Sequence, residues 1–440
     1  MTLTIEPSEI QTAKRLPLNP NYPPFRQWKR GVVAQKLQED PLCLYIHIPF
    51  CTQRCAFCYY KTVDIKERPE IPRYVDALCQ EIKMVAQKFN LNKRPIKAVY
   101  FGGGTPTVLE ENHLVQIVSA LQENFHLFAE KIQFSVEAEP LSVSPSKMNV
   151  LREIGVNRLS LGIQSFNNEI IKLSGRGHDA KQAYRAIDVA QKSGHGQWSL
   201  NIDLLSGLAA ETTETWQESL ECALKTGVES ITIYKMEAFA NTEVFQQGVR
   251  QETIELPSEE LEMHFMQLAM ARLEQADYHP WSHFTYTNKQ SARSEYTWNI
   301  WQGMDFYGFG LSAFGYLGDS LLQNTNDMEK YTSLMTTGEL PLARGYKFTS
   351  LDRMIREVLL GMKLLRFDLV KFQQKHGFEL HSLCNPTLQQ LASGGFIKIS
   401  DTDIELTSQG ILYGDYVGET LAASLKHINA KSDEFTCVPA

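Results

Sequence analysis

Cysteines 51, 55 and 58 stand in a C-x3-C-x2-C spacing, directly after a short β-like run, Tyr45-Ile-His-Ile-Pro-Phe. Gaps of three and two residues are too tight for ordinary core packing and suit a loop wrapped round a metal centre. A structural zinc site usually takes four ligands in two separated pairs. Here there is one triplet, and the nearest further cysteines, Cys43 and Cys79, lie outside the loop. Three thiolates can instead hold three irons of a [4Fe–4S] cube and leave the fourth iron open to an external ligand. A cluster held in this way can bind a small molecule and pass it one electron. A zinc ion completed by His47 or by a distant side chain is the alternative that spacing leaves open.

The loop needs a scaffold, and the flanking sequence supplies alternating elements. Strands are expected at 43–48, 96–101, 133–139, 158–162, 199–205 and 230–234. Helices are expected between them, at 74–89, 112–125, 145–153, 180–193 and 215–226, where apolar residues recur at helical spacing. Such alternation marks βα units and a parallel sheet or barrel. Six repeats in roughly 200 residues fall short of the eightfold barrel. The fold class is therefore α/β, a partial (β/α)6 TIM-like barrel spanning 42–325. Its later part holds a long helix at 258–276 and an aromatic, glycine-rich stretch at 280–324, read as a substrate-side extension.

Two further regions flank the barrel. Residues 1–41 form an N-terminal arm with Pro17, Pro20, Pro23 and Pro24, and with Tyr22, Phe25, Trp28, Lys29 and Arg30 available to wrap the surface. Residues 326–440 form a C-terminal helical, winged-helix-like domain, with helices at 351–365, 369–377 and 386–393 and a hairpin from 396–400 and 404–407. Lys371, Lys375 and His376 are too few basic residues for DNA binding, so a structural or capping role is expected.

Composition narrows the class further. The 440 residues are 43% apolar and 21% charged, ordinary globular values, and the net charge of −8 disfavours a general nucleic-acid binder. No signal-like or membrane-length apolar run is present in the sequence, so a cytoplasmic protein is expected. Eight cysteines are sparse. The scattered five, Cys43, Cys79, Cys222, Cys384 and Cys437, read as reduced thiols and not as a secreted disulfide framework.

The motif Tyr45-x-His47-Ile48-Pro49-Phe50-Cys51, with Phe57 just before the third cysteine, resembles the radical S-adenosylmethionine (SAM) superfamily. Within it the motif resembles the oxygen-independent coproporphyrinogen III oxidase-like branch. That branch also holds a haem chaperone, an anaerobic haem-degrading enzyme, methyltransferases and cyclopropanases. The resemblance runs from about 42 to 418. It implies a [4Fe–4S] cluster on Cys51, Cys55 and Cys58, whose open iron is chelated by SAM. It also implies an external reductant such as a flavodoxin or ferredoxin. Gly102-Gly103-Gly104-Thr105-Pro106 follows the second strand, where free backbone N–H groups can meet a ligand closely. Carried over residue by residue, Tyr45, Gly103 and Glu137 meet the cluster-bound SAM. Phe57, Gly104, Thr105, Gln164, Arg176 and Asp203 meet a second SAM, as in the methyltransferase and cyclopropanase members, where that molecule supplies carbon.

The sequence also departs from the branch. The oxidase carries a further cysteine two residues after the third ligand, and here that position is Tyr60. The haem chaperone carries a His-Asn-x-x-Tyr-Trp segment where this chain reads Glu295-Tyr-Thr-Trp-Asn-Ile-Trp, without the histidine. Methyl or methylene transfer to a tetrapyrrole or another flat substrate is therefore expected ahead of coproporphyrinogen decarboxylation or haem trafficking. The aromatics from Trp281 to Phe314 either stack on such a substrate or pack as a second core. Tyr59, Tyr60, Tyr296 and Tyr307 are the candidate proton or hydrogen donors, and His283 reads as a structural histidine. Gly308-x-Gly310-x-Ser312-Ala313 resembles the family's substrate-side glycine loop.

Overall fold

Strands with an apolar outer face need helices to cover it, and the chain supplies them in turn. A computed structural model describes residues 22–34, 40–65, 70–125 and 132–429. Pro17, Pro20 and Cys437 lie outside the described residues. The strands are β1 Leu42–Ile48, β2 Ile96–Gly103, β3 Gln133–Ala138, β4 Arg158–Gln164, β5 Ser199–Ser206, β6 Ser230–Lys235, β7 His279–Ser282, β8 Thr285–Thr287, β9 Asp305–Phe309, β10 Phe314–Leu317, β11 Ser320–Asn324 and β12 Leu342–Lys347. They form one twelve-stranded sheet in the order β12-β11-β10-β9-β1-β2-β3-β4-β5-β6-β8-β7. From β1 to β6 every pairing is parallel.

Helices α1 Glu70–Lys88, α2 Glu111–Asn124, α3 Pro145–Glu153, α4 Asn168–Leu173, α5 Ala180–Gly194 and α6 Thr213–Lys225 connect these strands. Helix α1 buries Tyr74, Val75, Leu78, Ile82, Val85 and Ala86, the i, i+3, i+4 stripe that faces a sheet. Helix α5 starts on a reciprocal cap, with the Asp179 carboxylate accepting from the Gln182 N–H and the Gln182 amide oxygen accepting from the Asp179 N–H. These caps fix where each helix leaves its strand, and therefore where the strand-end side chains point.

The sheet extends beyond the six expected strands. β9 lies parallel to β1, with Tyr45 beside Gly308, and adds a further parallel strand on the side away from β2. Its sequence, Asp-Phe-Tyr-Gly-Phe, lacks a clean polar alternation because all but Phe306 are buried, so the pattern reads as a loop. β12 pairs with β11 and carries the sheet past residue 325. The described part of the arm packs against this edge. Lys29 bridges to Gly345, and Trp28 and Phe25 lie on Phe314 with centroids 5.8 Å away.

The C-terminal region has its own core, including Ile355, Val358, Phe372, Leu388, Phe396, Ile404 and Leu421. Its sheet is three-stranded, not a hairpin: β13 Arg366–Asp368, β14 Ile397–Ile399 and β15 Asp403–Leu406, with β15 in the middle. The helix expected at 386–393 begins earlier, at Leu380, and kinks at Cys384 two residues before Pro386. A final helix, Tyr416–Asn429, completes the domain.

One buried ion pair, Lys363 with Asp415, sits beside the barrel residue His283. The His283 N–H donates to the Lys363 carbonyl at 3.2 Å. Lys363 is 2% exposed, and burial pushes its ammonium down while Asp415 pulls it up. Removing one partner leaves an uncompensated buried charge. Lys363→Ala is expected to cost about 3–5 kcal/mol in urea unfolding. Lys363→Met combined with Asp415→Leu should recover most of that loss. If the single variant unfolds at the wild-type midpoint, the pair does not stabilise the protein.

Candidate active site

The cysteine loop leaves β1 through Pro49 and is anchored along its length. Phe50–Cys51 pairs in parallel with Val63–Asp64. The Gly104 N–H donates to the Ile48 carbonyl at 2.7 Å and the Thr105 N–H to the Phe50 carbonyl at 2.8 Å. Further along, the Ala56 N–H donates to the Ser174 carbonyl at 3.0 Å, and Arg54 donates to the carbonyls of Cys58 and Asn241 at 3.1 Å each. The loop is thus held by the second strand, by the turn after α4 and by the segment after β6.

Cys51, Cys55 and Cys58 are free and half-buried. The Thr105 hydroxyl donates to Cys51 Sγ at 3.8 Å, and Arg176 Nη1 lies 3.4 Å from Cys55 Sγ. Burial pushes the Cys51 thiol up to about 12, the Thr105 hydrogen bond opposes this, and the neighbouring Cys58 and Cys55 add to it. A cationic centre is what turns such thiols into ligands. Gly104 forms the wall beside them, since a Cβ there would lie 2.8 Å from Cys51 Sγ and 2.6 Å from the Phe50 carbonyl oxygen. Among the described residues no three His, Cys, Asp or Glu side chains gather as ligands of one metal ion. A cube spreads its thiolates over separate irons. The loop therefore fits a cluster better than zinc, and His47 is engaged elsewhere, its Nδ1 lying 3.2 Å from the Tyr45 hydroxyl.

Beside the loop opens a cavity of about 510 Å³ that reaches into the barrel. Phe57, Cys58, Tyr59, Tyr60, Gly104, Thr105, Glu137, Gln164, Arg176 and Asp203 all line it. Their strands explain this. Side chains alternate along a strand, so β3, β4 and β5 turn Glu137, Gln164 and Asp203 to the same interior. Gln164 takes a left-handed φ of +70° where β4 shifts register against β5. Arg176 donates to the Gly162 carbonyl. Asp203 accepts from Ser160 at 3.1 Å and Asn201 at 2.9 Å.

Glu137 accepts from the Tyr100 hydroxyl at 2.7 Å and from the Gly103 N–H at 3.1 Å. Gly103 has φ +116°, and a Cβ there would lie 2.6 Å from the His47 ring, so glycine is required. Burial raises the Glu137 carboxyl to about 7, with Tyr100 pulling it down and Asp203 pushing it up. The folded chain then holds this proton more tightly than the unfolded chain. The favourable contribution is complete below the ordinary value of 4.5 and is lost as pH rises through about 7. Glu137→Gln should therefore stabilise the ligand-free protein at pH 8 by up to about 3 kcal/mol relative to pH 4. Equal effects on urea midpoints at both pH values would contradict this.

Other expected residues lie away from the cavity wall. Tyr45 stacks on Tyr100 at 6.1 Å behind it. Tyr296 is buried against Tyr45, Tyr100 and Phe306 and does not reach the wall, so it is not positioned as a donor to a molecule there. Tyr307 is buried in the main core beside Phe89 and Phe309. The Gly308–Ala313 run is no cavity loop either. Its Gly310 N–H donates to buried Glu81 at 2.8 Å, and the Leu311 N–H to the Tyr74 hydroxyl at 3.2 Å, which fasten it to α1. The aromatic stretch is divided. Trp281, Phe284 and Trp301 line the cavity, whereas Phe314 packs on the arm. Arg158, Asn201, Thr232, Tyr234, Lys235 and Asp415 also line it and were not singled out from the sequence.

A parallel βα barrel with a three-cysteine loop at its rim defines a class, and comparison with known proteins agrees. The profile of the Radical SAM superfamily matches residues 45–223, and that of the HemN C-terminal domain matches 348–413. The chain is 29% identical over 374 residues to the heme chaperone HemW of Bacillus subtilis, covering 85% of this chain and 97% of that one. It is 29% identical over 389 residues to the oxygen-independent coproporphyrinogen III oxidase of Salmonella typhimurium, covering 85% and 84%. The solved structure of the Escherichia coli coproporphyrinogen III oxidase HemN, described as a radical SAM enzyme, superposes with a TM-score of 0.79 at 25% identity, covering 92% and 96%. The chain carries a Radical SAM domain followed by a HemN C-terminal domain, and its relatives support the oxygen-independent coproporphyrinogen III oxidase-like branch of that superfamily. Its cofactors are accordingly a [4Fe–4S] cluster and SAM. No helix among the described residues is long and apolar enough to cross a membrane.

Proposed function

We propose that this radical SAM enzyme uses two SAM molecules to place a methyl or methylene carbon on a flat conjugated substrate, with tetrapyrroles in its range. Cys51, Cys55 and Cys58 would hold the cluster, with Tyr45, Gly103 and Glu137 beside the first SAM. Phe57, Gly104, Thr105, Gln164, Arg176 and Asp203 would hold the second. A cluster and SAM bound there would supply radical chemistry to the substrate, with the electrons coming from a flavodoxin- or ferredoxin-like donor. The chain's own share is positioning. The guanidinium of Arg176 is held on the Gly162 carbonyl, and Glu137 is held between Tyr100 and Gly103.

The observation that carries the reading is that all six residues of the second set face one cavity, next to Cys58. Two aromatic walls support a flat substrate. Tyr59 lies 4.3 Å from Tyr60 and 4.5 Å from Phe239, and elsewhere in the same lining Phe284 lies 5.4 Å from Trp301. Tyr60 in place of a further cysteine speaks against decarboxylation. Relatives named for haem and coproporphyrinogen III support a tetrapyrrole. The Bacillus subtilis heme chaperone, matched along 97% of its length, favours haem handling without turnover as the second reading.

Isotope labelling separates the two. With [methyl-13C]SAM, reductant and a porphyrin or polycyclic acceptor, carbon transfer yields a labelled product together with S-adenosylhomocysteine. Haem binding with neither product would replace this reading with the second.

A further inference from the structure

Strand β4 turns Arg158, Ser160, Gly162 and Gln164 toward the barrel interior, and all four line the cavity. Gln164 lies at the rim beside the cysteine loop. Arg158 lies at the other end of the strand, six residues and about 20 Å deeper. It is 3% exposed. Its one hydrogen bond among the described residues runs from Nε to the Ala292 carbonyl at 3.4 Å. No carboxylate among the described residues lies within ion-pair distance of it, and Asp203 and Glu137 feel its charge only at longer range. The two nearest in the cavity have other donors: Glu137 takes Tyr100 and Gly103, and Asp203 takes Ser160 and Asn201.

A guanidinium carries five N–H donors in a planar fork suited to a carboxylate. A buried charge is ordinarily paired. Here the fork opens on a cavity instead, beside the hydroxyl-bearing residues Ser160, Ser294 and Thr297. Its direct contact with the protein is one long backbone hydrogen bond, and beyond it the charge acts at longer range on Asp203 and Glu137, helping to hold them ionised.

We infer that Arg158 is the receptor for a carboxylate, and that the substrate brings it into the barrel. This rests on reading the cavity as the substrate site, and it narrows the substrate to a flat ring acid held between the aromatic walls. The amino-acid end of SAM is the other source of a carboxylate. It is disfavoured by depth, because most residues assigned to SAM lie at the loop and the rim, and only Asp203 and Glu137 reach down to the level of Ser160.

The test uses the reconstituted full-length protein and two fluorescent probes of one shape, 1-pyrenecarboxylate and neutral 1-pyrenemethanol. Wild type should bind the carboxylate more tightly, by about 10-fold or more, as a charge-assisted pair requires. Arg158→Gln should erase that preference and leave pyrenemethanol binding unchanged, while Arg158→Lys retains part of it. The thermal midpoint of Arg158→Gln should stay close to that of wild type, because no direct ion pair is lost. Equal binding of the two probes by wild type, including none of either, overturns the inference. So does a preference that survives Arg158→Gln, or a clearly lowered midpoint, which marks a structural arginine. Weaker SAM binding in Arg158→Gln with the probe preference intact assigns the carboxylate to SAM and overturns the substrate assignment. SAM cleavage by wild type is read separately, so failure of the enzyme reading is distinguishable from failure of this one.

Discussion

Replacing Cys58 by alanine is expected to abolish SAM cleavage, and the reason lies in the loop and not in the fold. Cys58 is half-buried at the cavity wall and belongs to none of the hydrophobic cores. Its backbone is fixed independently of its thiol, by the Cys58 N–H donating to the Cys55 carbonyl at 3.1 Å and by Arg54 on its own carbonyl. The variant should therefore fold with unchanged circular dichroism. After anaerobic reconstitution, iron should fall from about four per chain to below one, since the cube loses one of its three anchors. Cys51→Ala and Cys55→Ala should behave alike. Cys79→Ala is the control, because its thiol contacts the Gln116 carbonyl on the far side of α1. Unchanged iron in all three loop variants would remove the ligand assignment.

Gly104→Ala is expected to have the next largest effect. The added Cβ meets the Phe50 carbonyl oxygen at 2.6 Å and Cys51 Sγ at 2.8 Å. Neither can yield cheaply. Phe50 is fully buried and its carbonyl accepts the Thr105 N–H, and Gly104 itself is tied to Ile48. The strand end must shift, and Cys51 with it. A misplacement of about 1 Å costs on the order of 10²-fold in rate, so SAM cleavage should fall by that much while the barrel remains folded. Thermal unfolding and iron content separate the causes. A wild-type rate would show that the close approach of this backbone to the loop is unimportant.

These two effects rest on parts of the site that were legible in the sequence to different degrees. The cysteine spacing and the glycine run after β2 were explicit, because each requires particular residues in adjacent positions. The βα alternation was also explicit, and the structure follows it from β1 to β6. Arg158, Asn201 and Thr232 were missed although a signal existed. In Arg-Leu-Ser-Leu-Gly-Ile-Gln the polar residues sit two apart, as they do in Asn201-Ile-Asp203 and in Thr232-Ile-Tyr234. In a barrel that alternation marks the interior face. Asp415 could not be found that way, since it reaches the cavity only because the C-terminal domain, where it pairs with Lys363, docks against His283. Tyr296 and the Gly308–Ala313 run lie off the cavity wall for the converse reason. Their residue types suited chemistry, but Tyr296, on the short helix Glu295–Trp301, packs among Tyr45, Tyr100 and Phe306, and Gly310 and Leu311 are fastened to α1.

The measurement closest to the central claim is SAM cleavage by the reconstituted protein under strict anaerobiosis with dithionite, read as 5′-deoxyadenosine by mass spectrometry. The cluster-loaded wild type should release it, and the Cys58→Ala chain should not. A fully loaded wild-type cluster that binds SAM and releases none would contradict the account.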